Sequence, residues 1–413
     1  MSASTPPLRE HLDVIVLGVG PAWDLVPEWD RRTVLEADVV LGGRRHLAML
    51  PDVPGQRREA WPSPLRAGLA ELLTTLSGRV VALASGDPLV SGIGSTLIGF
   101  VHPHQLVIRP SVSSVALARA RMGWPAESCA VVSVVGRDVS LVRRELAPGQ
   151  RVLVLSSDEH TPDEVAALLV GDGYGDSELS VLGDLGSHHT SRYTSSAKLW
   201  VEDDHEVPRL NIVAISCAGP LLGGWVPGLP DDAFEHDGQL TKRDLRASAL
   251  ARLMPVPGQL LWDVGAGAGS VGIEWMRAHP SCRTIAIEAS PERALRIGRN
   301  AARLGVPGLR VVEGSAPAAL GDLPRPDAIF VGGGATRAGV LDACLAALSP
   351  GGRLVVHGVT LETEQLLASS YRTHGGELTR ISVETATPIG SFTGWTPARS
   401  VTQWALTRAG QSG

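Results

Sequence analysis

The stretch Leu260-Leu261-Trp262-Asp263-Val264-Gly265-Ala266-Gly267-Ala268-Gly269 runs from apolar residues through an acid into three alternating glycines. A short apolar run of this kind reads as a buried strand. The glycines that follow allow a sharp turn with positive φ and let the backbone come close to a ligand. A helix is expected behind them, over Val271–Arg277. Its N-terminus would offer unpaired N–H donors and positive potential to a carboxylate or phosphate. The next strand, Thr284–Glu288, ends in an acid, where a carboxylate can hold the hydroxyls of a ribose.

Outward from this turn the pattern repeats. Downstream strands are expected at Leu309–Glu313, Ala328–Val331 and Arg353–His357, with helices near Pro291–Leu304, Arg337–Leu348 and Glu362–His374. Two extended stretches, Glu377–Thr387 and Ser400–Thr407, read as a closing antiparallel pair with a long loop between them. Five α/β units and this pair predict a doubly wound, Rossmann-like sheet. Upstream, a helix at Lys242–Leu253 precedes Gln259–Val264, and Gly219–Gln239, with three prolines and five glycines, reads as a linker or an ordered crossing segment. The first half is a second α/β region, with strands at Asp13–Leu17, Asp38–Leu41, Val80–Ala84, Leu106–Ile108, Ala130–Val135, Arg151–Leu155, Leu179–Leu182 and Asn211–Cys217. Its helices are expected at Gly92–Val101, Ser113–Met122 and Pro162–Val170. The expected division is a first domain over 1–218, a linker over 219–240 and a second domain over 241–413.

Composition limits the function. The 413 residues carry 44% hydrophobic and 19% charged residues, a globular balance with room for two or three domains. A net charge of −6 without a basic block argues against nucleic acid as a partner. Lysine is almost absent: Lys198 and Lys242 stand against 35 arginines, a bias that a G+C-rich coding sequence explains. Cys129, Cys217, Cys282 and Cys344 are too scattered for a zinc knuckle or a disulfide framework, so a reducing, cytoplasmic setting is expected. Met1–His11 lacks the charged start and apolar stretch of a secretory signal, and no apolar run is long enough to span a membrane.

The glycine turn alone leaves two ligands open. Gly267-x-Gly269-x-x-Gly272, with Glu288 21 residues after Gly267, satisfies the dinucleotide fingerprint of nicotinamide dehydrogenases. Three features weigh instead toward S-adenosylmethionine. Asp263, two residues before the first glycine, is placed to receive an ammonium group. The turn is short and suits a carboxylate. Downstream, Pro326-Asp327-Ala328-Ile329-Phe330 and Leu348-Ser349-Pro350-Gly351-Gly352-Arg353-Leu354 resemble later motifs of class I methyltransferases. In the first half, Val16-Leu17-Gly18-Val19-Gly20-Pro21 and Leu83-Ala84-Ser85-Gly86-Asp87-Pro88 each follow a strand, so both loops would face one crevice of an open sheet.

These residues carry a family resemblance. The first half resembles the tetrapyrrole (class III) methyltransferases through Gly18-x-Gly20-Pro21, Ser85-Gly86-Asp87-Pro88 and Pro110-Ser111-Val112-Ser113-Ser114. The second half resembles class I methyltransferases of the cobalamin pathway through His236-Asp237-Gly238-Gln239-Leu240-Thr241-Lys242-Arg243, Asp263 to Trp275, Val331-Gly332-Gly333-Gly334 and Phe392-Thr393-Gly394-Trp395. Together and in this order they resemble the fused, decarboxylating precorrin-6Y methyltransferases of aerobic cobalamin synthesis. The resemblance implies methylation of a precorrin at C5 by the first domain, and methylation at C15 with loss of the C12 acetate carboxyl by the second. It implies one S-adenosylmethionine site per domain. The contacts expected are Gly18, Gly20, Pro21, Ser85, Gly86, Asp87, Ser113 and Ser114 in the first, and Thr241, Asp263, Gly265, Gly267, Gly269, Glu288, Ser315 and Ala316 in the second. Three positions depart from the family pattern: Ala22, expected to crowd the first loop; Val90-Ser91 after the Ser-Gly-Asp-Pro loop; and Ser315, where an acid is usual.

Methyl transfer requires chiefly an in-line arrangement of nucleophile, methyl and sulfur. His236, Asp237 and Lys242 are the expected lid or proton-relay groups. Arg44, Arg45, Arg109 and Arg243 are candidate anchors for the substrate carboxylates. Trp262, Trp275 and Trp404 are expected in the core, and Trp395 as a ring-stacking wall. His102-Pro103-His104 and His188-His189 lie in loop-like sequence without metal-ligand spacing, so no metal is expected. The expected partner is a small tetrapyrrole, with neither nucleic acid nor membrane, and the chain is expected to form a homo-oligomer. The alternative is one catalytic domain fused to a substrate-binding domain that has lost catalysis.

Overall fold

A computed structural model describes residues 13–409; Met1–His11, read above for a signal, lies outside them. The chain forms two compact units, one holding residues through 139 together with 148–220, the other 140–147 and everything from 221 onward. No helix among the described residues is long and apolar enough to cross a membrane.

In the first unit, β1 (Val14–Val19), β2 (Val39–Gly42), β3 (Arg57–Ala60), β4 (Val80–Ser85) and β5 (Leu106–Arg109) form a parallel sheet in the order 3-2-4-1-5. Val14, Val16, Val39, Leu41, Val80 and Ala82 alternate onto one buried face and Leu17, Val40, Val81 and Leu83 onto the other. Burial on both faces explains why the strands read as near-continuous apolar runs. A second sheet holds β6 (Ala130–Ser133), β7 (Arg151–Leu155), β8 (Glu178–Gly183), β9 (Ser191–Ser196) and β10 (Asn211–Ser216) in the order 6-7-10-8-9. Only its β6–β7 pair is parallel. The helix Ser114–Met122 starts where the Ser113 hydroxyl accepts the Ala116 N–H at 3.1 Å and stops at Gly123, whose φ of 66° only glycine adopts without strain.

In the second unit, β11 (Leu260–Val264), β12 (Arg283–Glu288), β13 (Arg310–Glu313), β14 (Ala328–Val331) and β15 (Arg353–Gly358) are parallel. β16 (Glu377–Ile381) is followed by a separate hairpin, β17 (Glu384–Ile389) and β18 (Phe392–Pro397), and then by β19 (Val401–Thr407). The seven-stranded sheet runs 13-12-11-14-15-19-16, with β19 antiparallel to both neighbours. This is the doubly wound sheet expected from the glycine turn. The long loop expected before β19 is instead the β17–β18 hairpin, and Glu377–Thr387 breaks into two strands around Ser382–Val383. Trp262, Trp275 and Trp404 are fully buried, each contributing on the order of 2–3 kcal/mol through the apolar area it removes from water. Trp395 lies on β18 and is 70% exposed, so it is no part of this core.

Part of the stretch read as a linker is core. Leu229 and Phe234 are buried against Ile273, Ile297 and Ala301. The wholly buried Arg246 explains the ordering: its guanidinium pairs with Glu274 at 2.5 Å and Asp231 at 3.3 Å, donates to the carbonyls of Thr241 and Leu229, and stacks on Phe234 at 4.7 Å. Glu274 in turn accepts the N–H groups of Gly228 and Leu229. The first turn of the strap Gly228–Thr241 is thus held by the buried Arg246–Glu274 pair.

Candidate active site

The order 12-11-14 marks the switch point of the second sheet, where the connections diverge and ligands bind beyond the strand C-termini. There the structure holds a cavity of about 370 Å³. Its floor is the glycine turn. Gly265 has φ 67°, and a Cβ on it would stand 2.8 Å from the Gly333 oxygen; a Cβ on Gly267, at φ 59°, would stand 2.8 Å from the Gln239 oxygen. The alternating glycines are therefore required twice over, for handedness and because the strap and the β14 loop press directly on the turn. Gly269, at φ 76°, lies beneath, capping the helix Ser270–Ala278, and a Cβ there would strike Ile297.

Of the second-half residues singled out in the sequence, Thr241, Lys242, Gly265, Gly267, Glu288, Ser315 and Ala316 line this cavity together. The Glu288 carboxylate accepts the Gly267 N–H at 2.8 Å with Oε2 and the Ser290 N–H at 3.0 Å with Oε1. This fixes it at the cavity edge with lone pairs still to offer a diol.

Asp263 is placed differently from the expectation. Its side chain is fully buried below the turn, where Oδ2 accepts the Gly272 N–H at 3.0 Å and Oδ1 has no partner. It is not among the residues that line the cavity, and it holds the first turn of the helix. Burial pushes its pKa up to about 7, against the opposing Gly272 hydrogen bond, and the nearby Glu288 pushes the same way.

Nor do His236, Asp237 and Lys242 form a relay. His236 is exposed and its Nδ1 accepts the Gly238 N–H at 3.1 Å. Asp237 pairs with Arg293 at 2.9 Å and Arg296 at 3.2 Å, which hold its carboxyl well below the usual range and leave it no proton to donate at neutral pH. Lys242 reaches Asp231 at 3.5 Å. Each group has a separate partner, and Asp237 serves to tie the strap to the helix Pro291–Arg303.

Of the four candidate carboxylate anchors, Arg44, Arg45 and Arg109 belong to the first unit and only Arg243 to the second. Arg109 is engaged by Thr33 at 3.0 Å, Asp30 at 3.6 Å and the Trp29 ring, and Arg45 donates to Ser85 and His46. None of Arg44, Arg45, Arg109 or Arg243 lines the cavity; Arg293, Arg337 and His357 do, along with Gly332–Gly334. Arg293 is taken by Asp237. Arg337 has no acidic partner among the described residues and makes only a long contact, 3.5 Å, to the Ala316 oxygen. These positions follow strand ends at the switch point, and that rule was the signal available in the sequence.

In the first unit, β1 and β4 are neighbours, so their loops meet as expected. The Gly86 N–H donates to Val19 at 2.9 Å and its oxygen accepts the Ser111 N–H at 3.1 Å. A Cβ on Gly18 would stand 1.8 Å from that oxygen. Ala22, at φ −138°, occupies extended backbone that any residue adopts, so its loop needs no glycine there. Asp87 folds back on its own loop, Oδ1 accepting the Leu89 N–H at 2.8 Å, and Ser85 contacts Arg45. Ser113 is committed to its helix cap, Gly20 and Pro21 lie just past β1, and Ser114 is exposed in the first turn of the capped helix. His102 and His104 stack on each other, and among the described residues no cluster of three His, Cys, Asp or Glu could hold a metal.

Comparison with known proteins gives the class first. Residues 13–198 match the tetrapyrrole (corrin/porphyrin) methylases, and residues 232–408 match a precorrin methyltransferase domain. The chain therefore joins two methyltransferase modules of different fold. It is 46% identical over 384 residues, 92% of each chain, to a precorrin-6Y C(5,15)-methyltransferase (decarboxylating) from Sinorhizobium sp.. A protein of the same name from Mycobacterium tuberculosis is 42% identical over 96% of this chain and all of its own. The crystal structure of the C-terminal domain of precorrin-6Y C5,15-methyltransferase from Rhodobacter capsulatus is 46% identical, covering 45% of this chain and 100% of that one, with a TM-score of 0.43. The chain belongs to the decarboxylating precorrin-6Y C(5,15)-methyltransferase family, whose members are S-adenosylmethionine-dependent C-methyltransferases of cobalamin biosynthesis.

Proposed function

We propose that the chain methylates a precorrin at C5 with its first unit and at C15 with its second, which also removes the carboxyl of the C12 acetate, and that each unit has its own S-adenosylmethionine site. The observation that carries this reading is the convergence of Thr241, Gly265, Gly267, Glu288 and Ser315 on one cavity of a size suited to a small ligand. The glycine cradle fits the donor, because any side chain at 265 or 267 would collide with backbone. S-adenosylmethionine supplies an electrophilic methyl on a sulfonium, so the protein need only bind, orient and exclude water. Glu288 is placed for the ribose hydroxyls, and the turn for the donor's carboxylate end. Ser315, where the family resemblance implies an acid, leaves the adenine amino group to main-chain carbonyls or solvent.

Positioning within this cavity is the main catalytic contribution, with no covalent intermediate on the enzyme. An electron-rich sp² carbon of the reduced macrocycle attacks the methyl directly. Arg337, the cavity guanidinium without an acidic partner, is suited to a carboxylate of the substrate that survives the reaction. In the first unit, the Gly18, Gly86 and Ser111 loops pack backbone against backbone at the strand ends, which supports a second site there. A cytoplasmic, homo-oligomeric enzyme accords with this reading. The test is the mass of the tetrapyrrole product: two methyl groups gained and one CO₂ lost supports two active units. A single methyl would leave one unit to bind substrate only.

A further inference from the structure

The cavity wall contains a buried polar chain that the reading above does not use. His357, at the end of β15, is 8% exposed and packs edge-on against Phe330 at 5.0 Å. Its Nε2 lies 2.9 Å from the side-chain amide of Gln403, which is itself completely buried on β19. One orientation of that amide satisfies every neighbour: its nitrogen donates to His357 Nε2, and its oxygen accepts from the Arg252 guanidinium at 3.0 and 3.2 Å. Arg252 is held from behind by both carboxylate oxygens of Glu377. Four residues from β15, β19, β16 and the helix Arg243–Leu253 are thus arranged in line.

The consequence is a fixed tautomer. A ring that accepts at Nε2 carries its proton on Nδ1. Nδ1 has no hydrogen-bond partner among the described residues, and His357 lines the cavity, so this N–H is free to meet a ligand. The ring is also neutral, since burial and Arg252 lower its pKa to about 4 despite the Gln403 contact. A buried polar chain of this kind is costly to keep.

The place of His357 in the sheet indicates its ligand. Glu288, the ribose candidate, ends β12, and His357 ends β15, three strands away, roughly 14 Å at the usual strand spacing. That distance puts His357 beyond the donor's ribose, on the side where the methyl acceptor must lie. We propose that the His357 Nδ1–H is the hydrogen-bond donor that positions the acetate carboxylate lost as CO₂. In that step the bond between the CH₂ and carboxyl carbons breaks. The electron pair stays on the CH₂ carbon, in conjugation with the macrocycle, and a proton from solvent completes the methyl group. A cationic anchor would stabilise the ground-state carboxylate and lose that stabilisation as neutral CO₂ forms. A neutral N–H orients the group with a smaller penalty of this kind. This inference rests on the second unit's proposed decarboxylation.

The test uses the full chain with His357→Phe, His357→Asn and Gln403→Glu. S-adenosylhomocysteine affinity is measured by calorimetry, the Nδ1/Nε2 protonation of His357 by ¹⁵N NMR, and methylated product with and without CO₂ loss by mass. The expected result for His357→Phe is donor affinity within about twofold and decarboxylation at least tenfold slower, with partial recovery in His357→Asn, which keeps a donor. Gln403→Glu should move the proton to Nε2 and slow decarboxylation while leaving the imidazole in place. A His357→Phe protein that decarboxylates at the wild-type rate overturns the proposal, as does a parallel loss of S-adenosylhomocysteine affinity or an Nε2–H ring in the unmodified protein. A wild-type chain that methylates without any CO₂ loss would instead overturn the functional reading beneath it.

Discussion

Arg246→Met should release the strap that lines the cavity of the second unit. The guanidinium is wholly buried and meets Glu274, Asp231 and the carbonyls of Thr241 and Leu229. Methionine replaces most of the stem and none of the charge. Removing one partner of a buried pair costs about 3–5 kcal/mol, because the other is left uncompensated. Here that partner is Glu274, which keeps only the Gly228 and Leu229 N–H groups. At 1.36 kcal/mol per decade, roughly 3 kcal/mol already raises the opening of the strap more than 100-fold. Hydrogen exchange across 228–242 should therefore accelerate by at least that factor, while the β11 and β14 amides are much less affected. Because Thr241 and Lys242 line the cavity, S-adenosylhomocysteine should bind more weakly as well. Pairing the change with Glu274→Gln, which removes the stranded charge while keeping a carbonyl acceptor for one of the two N–H groups, should cost less than the sum of the two single changes. Unchanged exchange and affinity in Arg246→Met would refute the idea that this ion pair holds the strap.

Three further outcomes are expected. Gly18→Ala places a Cβ 1.8 Å from the Gly86 oxygen, so calorimetric titration with S-adenosylhomocysteine should fall from two sites to one; two retained sites would contradict a cradle in the first unit. Arg337→Ala should raise KM for the tetrapyrrole about 10- to 100-fold, the worth of a charge-assisted hydrogen bond, with donor affinity unchanged; an unaltered KM would dismiss Arg337 as an anchor. Asp263 titrates near 7 in the folded protein and near 4 unfolded, so its contribution to stability is complete below about pH 4, declines as the unfolded chain ionises, and levels off above about 7. Unfolding curves of wild type and Asp263→Asn should diverge between pH 4 and 7, with the wild type losing ground; parallel curves would count against the buried, raised carboxyl.

The fold was legible wherever burial left a periodic trace. Strands β11, β12, β14 and β15 are buried on both faces, and each carries three or four consecutive apolar residues in the sequence. The strands that escaped the pattern are exposed. β3 (Arg57–Ala60) and β9 (Ser191–Ser196) are polar edge strands with no fully buried residue, and β17 and β18 form a hairpin outside the main sheet. Their pairing is set by a neighbouring strand or by each other rather than by their own hydrophobicity, so no periodicity records it.

The site divides along the same physical line. Glycines announce themselves, because a turn at positive φ pressed against backbone admits almost nothing else, and Gly265, Gly267 and Gly18 were all identified from sequence. Charged groups do not, because their chemistry depends on partners supplied by distant segments. Asp237 in isolation reads as a relay group, but Arg293 and Arg296, more than fifty residues on, pair with its carboxylate. Asp263 was read as a ligand contact because it precedes the turn, yet strand alternation sends its side chain under the helix while Val264 faces the cavity. Conversely, nothing local distinguishes Arg337 from 34 other arginines or His357 from 11 other histidines. What marks Arg337 is the lack of an acid beside it, and what marks His357 is the presence of Gln403, 46 positions away. A residue's role in this cavity is set by what its partners leave unsatisfied, and that is a property of the packed chain rather than of any window of sequence.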